Sequence, residues 1–299
     1  MKVALVGLGN LGVPIAERVL GAGYPLTVYN RSAGKAESLL AAGAAVARSP
    51  RGLLAASDVC VTVVADDRAL EAVTLPPDGV LADAHPGTVL VDMSTVSVAA
   101  SSRVAAAADA AGVGFLRAPV SGNAAVVRAG TLTIVVSGPA EALARVDPIV
   151  RAIGPNVHYV GPAEEARVVK LALQVMIGGT AELLSEALVL GEAGGVGRET
   201  LLEVMGSSAV GSPFVKYKTG PLLADDYSAT FTTSMMKKDL GLVLAFADST
   251  GASLPLTSEL ESLLDDAIEA GYADLDFMAL FLRLRHRTGQ AGDTVESTG

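Results

Sequence analysis

The first twelve residues narrow the possible fold more than any other stretch of the chain. Met1-Lys2-Val3-Ala4-Leu5-Val6 is an apolar run, and Gly7-Leu8-Gly9-Asn10-Leu11-Gly12 follows it as G-x-G-x-x-G, ahead of a helical pattern through Arg18-Val19-Leu20. In a strand, turn and helix of this kind the first glycine permits the tight turn, the second lets backbone approach an anion, and the third lets helix and strand pack closely. Amides at the helix start then face that anion. The loop from Gly7 through Leu8, Gly9, Asn10 and Leu11 to Gly12 is therefore expected to hold a dinucleotide pyrophosphate. A second strand, Pro25-Leu26-Thr27-Val28-Tyr29, comes next and ends in Asn30-Arg31-Ser32, with Lys35 close behind. An acidic side chain at that strand end would hold a ribose 2′-hydroxyl. A forked guanidinium with no carboxylate beside it favours a 2′-phosphate instead, so the expected cofactor is NADP(H), contacted by Asn30, Arg31, Ser32 and Lys35.

Apolar strand patterns recur at residues 58–64, 88–93, 115–118, 132–136 and 157–160, separated by alanine-rich helical segments. This alternation predicts an α/β unit, a Rossmann doubly wound sheet, over residues 1–161. Beyond Gly161 the strand patterns stop. Residues 164–192 read as one long interdomain helix, acidic at its start and weakened only at Gly178-Gly179. Helical patterns at 198–205, 235–249, 256–270 and 275–287 then predict an all-α second domain spanning 162–288 with the long helix. The pattern leaves Ser212-Pro213-Phe214 and Tyr217 unplaced. The small, polar tail at 289–299 is expected to be disordered.

Composition excludes several classes of function. A net charge of -10 and a pI near 4.8, without any basic run, argue against nucleic acid. The chain is 51% hydrophobic with a mean hydropathy of +0.47, enough for large cores. Its apolar stretches are broken by charge and its start lacks a signal-peptide layout, so no membrane association and a cytoplasmic location are expected. The single cysteine, Cys60, lies in a strand pattern and reads as a small buried hydrophobe. His85, His158 and His286 show no ligand spacing, so no metal is expected. The many apolar helical positions of the second domain predict a homodimer through it.

Four ordered motifs carry a family resemblance: Asp92-Met93-Ser94-Thr95; Ala118-Pro119-Val120-Ser121-Gly122 with Gly130-Thr131-Leu132; Lys170 early in the long helix; and Lys238-Asp239-Leu240. Over residues 1 to about 285 the chain resembles the β-hydroxyacid dehydrogenases, which include 3-hydroxyisobutyrate dehydrogenases and glyoxylate or succinic semialdehyde reductases. The resemblance implies an NADP(H)-dependent oxidoreductase that interconverts a small β-hydroxyacid and its semialdehyde or keto acid. It implies Lys170 as general acid and base, Ser121, Gly122 and Asn123 on the substrate carboxylate, Thr95 against nicotinamide or substrate, and Gln174 orienting the substrate. Val64, Phe231 and Lys238 would complete the cofactor contacts.

The residues themselves are compatible with these roles. Asp92-Met93-Ser94-Thr95 ends a strand, placing Thr95 at the carboxyl edge of the sheet, where ligands bind in such folds. Ser121-Gly122-Asn123 supplies a hydroxyl and backbone amides suited to a carboxylate. As hydride reaches a carbonyl carbon, negative charge grows on its oxygen, and an ammonium at hydrogen-bond distance stabilises it and donates a proton. Burial and an oxidised nicotinamide would lower the pKa of that amine, whereas a substrate carboxylate would raise it.

Three positions depart from the family pattern: Gln174 stands for Asn, Asn123 for Gly, and Arg117 for Asp. Asn123 is expected to add an amide to the anion loop, and Arg117 to be a surface charge in preference to a second anionic handle. Met235 and Met236 are expected in core or pocket lining, with Lys237 facing solvent. Two alternatives share the fold. Imine reductases resemble the chain in both domains and in the Asn-Arg-Ser signature but generally lack the lysine, and a non-catalytic NADPH-binding interaction protein would have lost its activity. Phosphogluconate dehydrogenases are more distant, and the chain lacks their His-Asn pair after the lysine.

Overall fold

A computed structural model describes residues 1–32 and 34–287, so the tail expected to be disordered at 289–299 lies outside the described residues. The chain divides into two compact units, Met1–Leu171 and the residues from Ala172 onward. The division falls inside a helix, about ten residues beyond the boundary expected at 161/162.

Among the described residues of the first unit, nine strands form one sheet: β1 (Val3–Val6), β2 (Leu26–Tyr29), β3 (Ala45–Val46), β4 (Val59–Thr62), β5 (Val89–Asp92), β6 (Gly114–Arg117), β7 (Val120–Ser121), β8 (Thr133–Ser137) and β9 (Asn156–Gly161). The order β3-β2-β1-β4-β5-β6 is all parallel. β8 then runs antiparallel to β6, with β7 antiparallel and β9 parallel to β8. Crossovers between parallel strands are made by α1 (Gly12–Gly21), α2 (Glu37–Ala41), α3 (Asp67–Thr74), α4 (Val98–Ala110) and α6 (Ala140–Ile153), while α5 (Ala124–Arg128) joins the antiparallel neighbours β7 and β8.

Each central strand is apolar on both faces because helices cover both. In β1, Val3 and Leu5 join a core that also contains Ile15 and Val146 from α1 and α6. Ala4 and Val6 point the other way, into a core shared with Leu70 and Val104 from α3 and α4. Cys60 lies in this second core, fully buried, and desolvation pushes its thiol up to about 12, which keeps it protonated and inert.

The long helix α7 (Glu165–Ala193) carries the chain from one unit to the other. Gly178 does not weaken it. A side chain there would meet Leu260 at 2.9 Å, so the glycine provides close packing. By length and composition α7 would suffice to cross a membrane, but it buries Arg167, Gln174, Glu182 and Ser185 as a packed core helix does.

The second unit continues with α8 (Arg198–Ser207), α9 (Pro213–Leu223), α10 (Thr233–Thr250), α11 (Pro255–Ala267) and α12 (Ala279–Arg287). The helix expected over 275–287 begins only at Ala279. Asp276 is withheld from it, its carboxylate accepting from Lys218, Thr230 and its own downstream Met278 amide. Ser212 caps α9 through the Val215 amide, and Phe214 packs against Tyr217 and Phe277, which places the segment left open by the sequence pattern. Met236 is buried, whereas Met235 is 40% exposed rather than core, and Lys237 is half-buried and paired with Asp265.

Candidate active site

The glycine loop has the geometry its sequence predicted. Gly7 has φ +100°, and a Cβ on it would lie 2.1 Å from the Val63 oxygen; a Cβ on Gly12 would lie 1.9 Å from the Gly7 oxygen. Both positions are closed to any side chain, while Gly9 is exposed with open space around it. Leu11 occupies the N-cap of α1 and supplies no side-chain acceptor, so the first-turn amides have no side-chain cap. Leu8 is buried, and its amide donates to Asn30 Oδ1 at 2.9 Å. Asn30 Nδ2 in turn donates to the Ser32 oxygen. Asn30 thus ties the end of β2 to the glycine loop and shapes it. Arg31, Ser32 and Lys35 lie exposed beyond it.

At the ends of β4 and β5 a buried polar network begins with Asp92, which has no exposed surface. Its Oδ1 accepts from Thr62 Oγ1 and Ser94 Oγ, both at 2.6 Å, and its Oδ2 accepts from the Arg167 guanidinium. Ser94 Oγ also accepts the Val64 amide at 2.9 Å. Arg167 donates further to the Ser94 oxygen at 2.7 Å and to Ser101 Oγ at 3.2 Å. Thr95 follows directly, half-buried at the sheet edge. Sequence reasoning passed over Arg167. The available signal was an arginine three residues before Lys170, set between Ala166 and the apolar pair Val168-Val169.

Arg117 is not a surface charge. It is 7% exposed, donates to Glu164 Oε1 from both Nε and NH2, at 3.0 and 2.5 Å, and lies 4.7 Å from the Phe115 ring centroid. As the last residue of β6 it ends beside α7, where Glu164 supplies the compensating charge that allows burial.

The anion loop follows β7. Gly122 adopts φ +143°, and a Cβ would meet Val126 at 2.8 Å and Leu132 at 2.9 Å, so this turn accepts only glycine. Asn123 caps α5: its Oδ1 accepts from the Ala125 and Val126 amides at 3.0 and 3.1 Å. The carboxamide expected to serve an anion is therefore half committed, and only its amino end can do so. Lys170 Nζ donates to the Val120 oxygen at 3.0 Å, one residue before Ser121. The fold thus brings together Lys170 and the anion loop from positions 50 residues apart.

In the second unit Gln174 is buried, and its Nε2 donates to Asp239 Oδ2. Asp239 is itself buried, and its Oδ1 lies 2.6 Å from Lys238 Nζ. The acid thereby joins the expected substrate residue Gln174 to the expected cofactor residue Lys238, a role the sequence reading had not given it. Phe231 is half-buried against Phe277, with ring centroids 6.1 Å apart, and its carbonyl accepts the Phe277 amide. Among the described residues no group of three or more His, Cys, Asp or Glu side chains is arranged to hold a metal.

A mostly parallel sheet covered by helices on both faces, with this glycine loop at the end of its first strand, defines a nicotinamide-dinucleotide-binding unit. Residues 2–161 match the NAD binding domain of 6-phosphogluconate dehydrogenase, and residues 165–284 match the family described as NAD-binding of NADP-dependent 3-hydroxyisobutyrate dehydrogenase. The chain is 36% identical to an NAD-dependent L-serine dehydrogenase of Pseudomonas aeruginosa over 287 residues, 92% of this chain and 95% of the relative. It is 32% identical to the 3-hydroxyisobutyrate dehydrogenase of the same organism, covering 93% of this chain and 96% of that one. Among solved structures, the 3-hydroxyisobutyrate dehydrogenase of Salmonella typhimurium superposes with a TM-score of 0.87 at 29% identity, covering 94% of this chain and 99% of the other. The chain belongs to the β-hydroxyacid dehydrogenase family. It is an oxidoreductase that uses a nicotinamide cofactor.

Proposed function

We propose that this protein is a soluble NADP(H)-dependent oxidoreductase that interconverts a small, carboxylate-bearing β-hydroxyacid and its semialdehyde or keto acid, with Lys170 as general acid and base. The observation that carries this reading is the Lys170 amine, 3.0 Å from the Val120 oxygen and immediately beside the Ser121-Gly122 turn. The residues present fit the cofactor: the open backbone at Gly9 and the uncapped start of α1 suit a pyrophosphate, and exposed Arg31 suits a 2′-phosphate. When bound, the nicotinamide supplies or accepts the hydride.

The chain's own residues do the rest. Ser121 Oγ and the backbone amides around Gly122 bind and orient the substrate carboxylate, with the amino end of Asn123 alongside. In the reducing direction the Lys170 ammonium donates a hydrogen bond to the carbonyl oxygen and then its proton, so the product leaves as an alcohol. In the oxidising direction the neutral amine takes the hydroxyl proton. Thr95, held at the end of β5, positions the reacting carbon. Gln174 is a longer amide than the family pattern has, which reshapes the substrate's surroundings.

An amine at this place favours dehydrogenase chemistry over the imine-reductase alternative, whose members generally lack the lysine. The fastened Lys170 and the glycine-specific turn at Gly122 argue against a decayed, non-catalytic binder. On α7 the exposed Met176, Leu183 and Leu190 recur every seven residues and support a homodimer, which sedimentation at micromolar concentration would reveal. The test of the activity is NADPH oxidation with glyoxylate, succinic semialdehyde, methylmalonate semialdehyde, tartronate semialdehyde and a cyclic imine. Turnover of an aldehyde acid is expected. Turnover of the imine alone, or of nothing despite cofactor binding, would contradict the proposal.

A further inference from the structure

One buried side chain ties the start of α7 to the end of β5 and to α4. Arg167 is 1% exposed and uses its whole fork: NH2 on Asp92, NH1 on the Ser94 oxygen and Nε on Ser101 Oγ. Asp92 ends β5, and Ser94 passes the connection to Val64 in the loop after β4. Arg167 itself stands three residues before Lys170 on α7, so the two side chains project from neighbouring positions on one helix. A second tie acts on the same helix start: Ser137 Oγ accepts the Ala166 amide at 3.1 Å and donates to the Ala163 oxygen at 2.7 Å. The first turn of α7 is thereby pinned to two strand ends at once.

We propose that Arg167 is a positioning residue: through Asp92 and Ser94 it sets the rotation and height of the first turns of α7, up to Leu171, against the sheet, and with them the placement of Lys170 beside the anion loop and of Thr95 at the sheet edge. The inference rests on the reading of Lys170 given above. Its physical basis is that a rigid three-way fork fixes rotation, which a point charge does not. Lysine at this position could pair with Asp92 but could not also reach the Ser94 oxygen and Ser101. Misplacement of a reacting group by about 1 Å can cost on the order of 100-fold in rate.

The test uses Arg167→Lys and the pair Arg167→Met with Asp92→Asn. Asparagine keeps the Oδ1 acceptor for Thr62 and Ser94 and removes the uncompensated buried charge, so the pair should regain most of the thermal stability that Arg167→Met loses. Two readouts separate positioning from bulk stability. One is kcat per folded molecule, with cofactor affinity followed by fluorescence titration. The other needs no turnover: competitive acetylation of Lys170 by acetic anhydride, read by mass spectrometry against exposed Lys35. Positioning predicts that kcat falls at least about tenfold in both variants, cofactor affinity stays within about twofold, and the Lys170 to Lys35 labelling ratio shifts by at least about threefold. A wild-type labelling ratio and wild-type kcat in either folded variant would overturn the proposal. If Lys170→Ala keeps full activity while the labelling ratio still shifts in Arg167→Lys, the reading of Lys170 fails and the positioning role stands.

Discussion

Asp92 and Glu182 are two carboxylates buried to nearly the same depth, 0% and 5% exposed, in opposite circumstances. Asp92, in the sheet unit, accepts from Thr62, Ser94 and Arg167 and anchors the end of β5. Glu182, on α7 in the helical unit, has no hydrogen-bond partner for either oxygen among the described residues, and desolvation, with the nearby charge of Glu186, pushes its pKa up to about 7. Burial alone therefore does not define a buried acid. Donors turn one into a fixed ion that organises its surroundings, and their lack turns the other into a titrating group.

The comparison breaks most severely if Asp92 is given the circumstances of Glu182. Arg167→Met strips Oδ2 of its donor and should cost about 3–5 kcal/mol in urea or thermal unfolding, the range for breaking a buried pair from one side. A loss under about 1 kcal/mol would mean that the network around Asp92 redistributes freely. The contrast between a buried and an exposed arginine is sharpened at Arg31. Arg31→Ala should leave stability unchanged and weaken NADPH binding by about 1–3 kcal/mol while hardly altering NADH binding, as read by titration. Equal weakening of both would show that Arg31 does not read the 2′-phosphate.

The smallest effect lies at Glu182. Its folded pKa is raised to about 7 from an ordinary value of 4.5, so between those values the folded state holds a proton that the unfolded state releases. Its contribution to stability is therefore most favourable below pH 4.5, declines as pH rises to 7 and stays unfavourable above that. Glu182→Gln should raise stability at pH 8 by about 1–2 kcal/mol and flatten that decline. An unchanged pH profile would place a donor beside Glu182.

What could be read from the sequence follows from the range of the interactions involved. The central strands were legible because helices cover both faces, which leaves continuous apolar runs such as Val59-Cys60-Val61. The glycine loop was legible because its three glycines lie within six residues, although the oxygen that closes Gly7 to a side chain comes from distant Val63. Two-residue β3 and β7 carry no periodicity. Helix α9 was hidden by Pro213 and by Gly220-Pro221, which read locally as breakers but sit where the fold tolerates them. The side-chain roles that went unread depend on partners far away in sequence: Arg167 needs Asp92, 75 residues distant, and Gln174 needs Asp239, 65 residues distant. Arg117 was misplaced for the same reason, since a strand-end arginine looks solvated until Glu164 is brought beside it.

The most direct test of the account is steady-state turnover by Lys170→Ala of whichever aldehyde acid the wild type reduces best, with NADPH binding measured on the same preparation. The account predicts at least about a 100-fold fall in kcat with cofactor affinity nearly unchanged, the scale for a lost positioned acid. Retention of most of the activity would contradict it and place the proton donor elsewhere.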